Sequence, residues 1–130
     1  MIDKVEYWIN LANEDLSVAE LLITGHKYLQ AGFFCHLIIE KALKAAIANS
    51  SDEIPPKTHD LIKLAQRGGI YDILSEDQKD LLDELTPLNI EARYPSYKEN
   101  ISKILTTEKT KLLFKKTEEL LCWIKQQLER

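Results

Sequence analysis

Residues 29–49 read LQAGFFCHLIIEKALKAAIAN, and this stretch decides the fold. Ala31, Phe34, Cys35, Ile38, Ala42 and Ala45 recur at helical spacing and mark one apolar face. Phe33, Leu37 and Ile47 widen that face. A helix apolar over so broad an arc is a central one, packed on more than one side. The same breadth predicts contact with a second copy of the chain, because apolar surface beyond what one neighbour covers marks an interface. The run is still no membrane span. His36 interrupts it, and no stretch approaches the roughly 20 apolar residues a bilayer requires.

Working outward, the segment before it carries Val5, Trp8, Ile9, Ala12, Leu16, Ala19, Leu22 and Ile23 at helical spacing, and Gly25 ends it. After it, residues 50–57 read as a loop, and PPKTHDL (55–61) opens a short helix closed by Gly68 and Gly69. Thr58 is the expected N-cap, with Asp60 in the first turn. Ser75 starts a fourth helix on Leu81, Leu82, Leu85 and Leu88; Pro87 should kink it, and it should run to ARYPSY (92–97). Irregular backbone is expected over 94–105, since Pro95 disfavours helix at Tyr94. Thr106 or Thr107 then caps a last helix bearing Leu113, Phe114, Thr117, Leu121, Ile124 and Leu128. No strand pattern, repeat or low-complexity tract appears. The fold class is all-α, an up-and-down bundle of four to five helices in one domain over 1–130, with an antiparallel first pair.

With 130 residues, 45% of them hydrophobic and 29% charged, the chain can build a core without metals or disulfides. Cys35 and Cys122, each inside a helical pattern, are expected to be buried thiols in a reducing cytoplasm. The N-terminus MIDKVEYW lacks the order of a signal peptide, so the expected location is cytoplasmic. A net charge of −4 argues against a protein that coats nucleic acid without specificity. The charge is uneven, however. Asp72 to Glu91 holds seven acidic residues and one lysine, whereas Lys98 to Lys116 holds six lysines and two glutamates. These are two solvated helix faces, or a basic lip able to meet phosphates.

The chain has no phosphate-binding glycine loop, no His-Glu-x-x-His and no Cys/His cluster, so neither metal nor cofactor is expected. Three polar groupings remain: Glu40, Lys41 and Lys44 on the most apolar helix; Lys57 and His59 in the opening turn; and Arg93, Tyr94 and Tyr97 in ARYPSY. Glu40 and Lys44, four apart, also fit a plain helix-surface ion pair. Arg93 also fits a helix C-terminus, and tyrosines serve equally as packing residues with one wet end.

Read together, the tryptophan-led first helix with ANEDL (12–16) and Ala19, EKALKA (40–45), PKTHDL (56–61) and ARYP (92–95) resemble the HEPN domain, a nucleotide-binding family of prokaryotes and higher eukaryotes. The resemblance runs from about Tyr7 to Leu128. It implies a helical bundle, usually a homodimer, with a polar cleft at or near the subunit interface. Many relatives are encoded beside a minimal nucleotidyltransferase in two-gene systems like a toxin with its antitoxin. Others are metal-independent ribonucleases that carry an arginine, four to six residues, then a histidine. Here no histidine follows Arg93 or Arg67 at that distance. Attack by a 2′-hydroxyl needs a group that exchanges a proton near neutral pH, and an unperturbed tyrosine is a poor one. No catalytic residue is therefore assigned. Phosphate binding needs only cations and a stacking surface. The expected ligand contacts are Lys57, His59, Arg93, Lys41 and Lys44, with Tyr94 or Tyr97 beside a base.

Overall fold

The computed structural model describes residues 3–89 and 95–129, the side chains of 95–98 excepted. Its elements, in chain order, are α1 (Lys4–Thr24), α2 (Tyr28–Ser50), α3 (Leu61–Arg67), α4 (Glu76–Leu85), α5 (Pro95–Ile104) and α6 (Thr107–Leu128). Single 3₁₀ turns occupy Tyr71–Ile73 and Thr86–Leu88. No strand occurs among the described residues, and none of their helices is long and apolar enough to cross a membrane.

α2 is the axis of the molecule. Ile38, Ile39, Leu43 and Ile47 are all buried, each worth about 1.5–3 kcal/mol relative to exposure. α1 folds back along it through a three-residue turn, so Lys44 lies over the Trp8 ring and Lys41 pairs with Asp15. α6 runs alongside in the same sense as α2, with Thr107 bonded to Tyr28 and Thr117 to the Cys35 thiol. α3, α4 and α5 close the remaining sides. At Gly32 a Cβ would stand only 2.9 Å from Leu105 Cδ1, and this contact brings the end of α5 onto α2. The wide apolar arc of α2 is therefore used within the chain. It does not by itself call for a second copy.

The helix ends follow local chemistry. Asp3 caps α1, Ser75 and Gln78 form a reciprocal capping box at α4, and Thr106 caps α6. α1 stops at Gly25, but His26 takes the left-handed position beyond it at φ 59°, and its Nδ1 shares a hydrogen bond with the Tyr28 hydroxyl. α3 ends more simply: Gly69 sits at φ 74°, and the Ile70 amide donates back to the Ala65 carbonyl.

Four expectations are corrected. Asp60, not Thr58, caps α3: its Oδ1 accepts from the Lys63 amide at 3.1 Å, while Thr58 Oγ1 accepts from the Asp60 amide at 3.2 Å. α4 ends at Leu85 rather than kinking at Pro87, which sits in the following 3₁₀ turn. Residues 95–104 are helical, because a proline suits the first position of a helix, where its missing N–H has no intrahelical partner to lose. Cys122 is exposed, one step round α6 from buried Leu121; Cys35 is buried as expected. Burial pushes the Cys35 thiol up to about 11, against the opposing hydrogen bond with Thr117.

Candidate functional site

The segment from Ser51 to Asp60 has no regular structure, yet it is held firmly at residue 59. Pro55 is buried and Pro56 half-buried, which fixes the approach of the chain to α3. The His59 ring Nδ1 lies 2.8 Å from Glu40 Oε1. Its backbone carbonyl lies 3.2 Å from His36 Nε2. Both acceptors are obligate, a carboxylate and a carbonyl, so His59 carries its hydrogen on Nδ1 and His36 on Nε2. Lys44 Nζ donates to the other Glu40 oxygen at 3.2 Å. Glu40, Lys44 and His36 are all buried in α2, whereas the His59 side chain is 52% exposed. The Glu40 carboxylate thus anchors the His59 ring and Lys44, while His36 holds the same residue 59 through its carbonyl.

Burial drives the His36 pKa below its ordinary value. The Glu40 carboxylate and the bond to the His59 carbonyl oppose that shift, and His59 and Lys44 add to it. His36 is therefore neutral at physiological pH. His59, fixed through Nδ1, leaves Nε2 as the ring atom able to meet a ligand. A neutral ring accepts a hydrogen bond there; a protonated one donates to an anion.

Lys57 and His59 line an open groove of about 780 Å³, together with Asp60, Asp83, Pro87 and the buried Asn89. Its charges are mixed, with two carboxylates facing the lysine and the histidine. The Asp60 carboxylate already caps α3, so the start of that helix is occupied by a negative group. Lys41 and Lys44 do not line this groove: Lys41 pairs with Asp15 of α1, and Lys44 with Glu40. Arg93 and Tyr94, and the side chain of Tyr97, lie outside the described residues.

The HEPN domain model matches residues 5–127. The chain belongs to the HEPN family. Comparison with curated proteins and with solved structures gave no match. Two HEPN markers, EKALKA and PKTHDL, meet in space through Glu40 and His59. HEPN membership points to a nucleotide- or RNA-related function. Among the described residues no group of three His, Cys, Asp or Glu side chains is placed to hold a metal ion.

Sequence reasoning assigned no role to His36, Asp15, Asp83 or Asn89. A signal existed for the first. Glu40 stands among Ile38, Ile39, Ala42 and Leu43, and a carboxylate in so apolar a run must find partners. His36, four residues before it, is on the same helix face. Nothing in the sequence marked Asp83 or Asn89 as groove residues, since the path of the chain puts them there.

Proposed function

We propose that this HEPN chain is a binding module for a nucleotide or a short stretch of RNA, with phosphate held at the Lys57–His59 groove. The observation that carries this reading is the His59 ring, locked by a buried carboxylate and presenting Nε2 to an open groove beside Lys57. A locked ring loses little freedom on binding, and in its protonated form it donates from Nε2 to an anion. Arg93 follows Asn89, a groove residue, by four positions, and is the proposed bidentate phosphate contact. Tyr94 and Tyr97 are the proposed base platforms. A binding role fits the absence of a histidine after Arg93.

The finer reading is a cytoplasmic homodimer acting beside a separate minimal nucleotidyltransferase in a two-gene system of the toxin–antitoxin kind. A face for the second copy is available on α1, where exposed Tyr7, Val18 and Leu21 lie on one side of the helix.

Titration with a labelled oligoribonucleotide and with ATP, on wild type and on Arg93→Ala and Lys57→Ala, tests the site. Arg93→Ala should weaken binding by about 1.5–3 kcal/mol, the scale of a hydrogen bond to a charged group. Equal binding by all three proteins would overturn the assignment.

A further inference from the structure

His36 and Glu40 stand one turn apart on α2, and both grip residue 59, one through its backbone and the other through its ring. His36 Nε2 is spent on the His59 carbonyl. Its Nδ1 is buried, without a hydrogen-bond partner among the described residues. That lone pair faces Glu40 Oε1 at 3.6 Å, the same oxygen that accepts from His59 Nδ1 at 2.8 Å. Two acceptors therefore confront each other in the interior. A proton on His36 Nδ1 would turn the confrontation into an ion pair.

We propose that His36 is a positioning residue, a latch whose Nε2–H holds the groove loop against α2 in either charge state and whose protonation at Nδ1 releases the His59 ring from Glu40. This rests on the reading of the groove as a phosphate site and names a control on that site. The neutral ring holds the backbone of residue 59 and leaves Glu40 to the His59 imidazole. Lys57 and His59 then keep fixed places on the groove wall, although residues 51–60 have no regular structure. The imidazolium form donates from Nδ1 to Glu40 Oε1, competes with His59 for that oxygen and frees the His59 ring to turn.

The charges around His36 set the direction. Burial keeps the proton off most strongly, Glu40 draws it on, and His59 and Lys44 repel it. In the groove beyond, Lys57, Asp60 and Asp83 surround His59 rather than His36. The latch is closed at neutral pH and opens on acidification below the ordinary histidine range.

Ring-nitrogen NMR of both histidines against pH tests the latch, with inorganic phosphate and a short oligoribonucleotide titrated in parallel as probes. In wild type the His59 ring shifts should carry an inflection at the His36 midpoint. His36→Gln keeps a donor for the carbonyl but cannot titrate, and should abolish that inflection. His59→Ala should move the His36 midpoint upward, because Glu40 Oε1 is then free for it. At neutral pH, His36→Leu should weaken binding of the probes about five- to tenfold, the worth of one hydrogen bond, and His36→Gln should restore it. His59 ring shifts without that inflection in wild type, as in His36→Gln, would overturn the latch. So would a His36 midpoint unmoved by His59→Ala, or loss of the fold before His36 titrates. Coupled histidines in a protein that binds neither probe would leave the latch standing and sink the phosphate reading; binding without coupling would do the reverse.

Discussion

Two glutamate–lysine pairs at helical spacing sit in different surroundings. Glu40 and Lys44 lie 3.2 Å apart in α2 with side chains 6% and 11% exposed; Glu76 and Lys79 lie 3.9 Å apart at the start of α4 with side chains 89% and 26% exposed. In the sequence they look alike. In the fold the first is surrounded by core and shared with two histidines, while water solvates the carboxylate of the second. The difference is less in the attraction between partners than in what is left behind when one partner goes. Each lysine also lies over an aromatic ring, Lys79 over Tyr71 and Lys44 over Trp8, but a stranded Lys79 reaches solvent while a stranded Lys44 stays buried.

The largest expected effect follows from that. Glu40→Ala should destabilise the protein by about 3 kcal/mol in urea unfolding, because a buried cation loses its counter-charge and the His59 ring loses its acceptor. A loss no greater than that of a surface substitution would erase the contrast between the two pairs.

Next comes pH. His36 binds a proton less readily in the folded state than its ordinary 6.5. The unfolded chain therefore takes up the proton first as pH falls, and acidification favours unfolding. The contribution of neutral His36 is fully present above about 6.5 and is lost as pH drops toward the folded value, with a slope of at most about 1.4 kcal/mol per unit. His36→Gln should flatten that slope in stability measured across pH. An unchanged slope would assign the acid sensitivity to another group.

A smaller effect separates the two candidate caps of α3. Asp60→Ala should cost about 1 kcal/mol, and Thr58→Ala clearly less, as read from thermal midpoints. The reverse order would restore Thr58 as the cap. Smallest of all, Glu76→Gln should change stability by under about 0.5 kcal/mol, since exposed pairs contribute little. A larger loss would mean that the first turn of α4 relies on this carboxylate.

The caps show how far the sequence carries. Ser75 stands alone and was legible as a cap, whereas Thr106 and Thr107 stand side by side and the structure picks Thr106. Thr58 and Asp60 compete two residues apart, and the choice falls to the register of Leu61 and Leu64, both fully buried. Only packing fixes that register. Pro95 misled in another way: a proline breaks a helix it interrupts but starts one well, and the sequence does not say which role it has. The helical class and the central position of α2 could be read from apolar breadth alone. The contact between Glu40 and His59 could not, because they are nineteen positions apart and the irregular segment from Ser51 sets where His59 returns to α2. Even so, the presence of a carboxylate in an apolar run announced that some partner had to come.

The contrast between the two cysteines has a practical consequence. Cys35 is protonated at neutral pH and shielded by the core, so thiol reagents that need a thiolate pass it by. Cys122 stands in solvent on α6. The wild-type chain thus carries one reachable attachment point, and a maleimide dye or spin label can be placed on α6 without altering a single residue. Because the α6 helix runs beside both α1 and α2, a probe there would report on assembly along the bundle and leave the Glu40 cluster untouched.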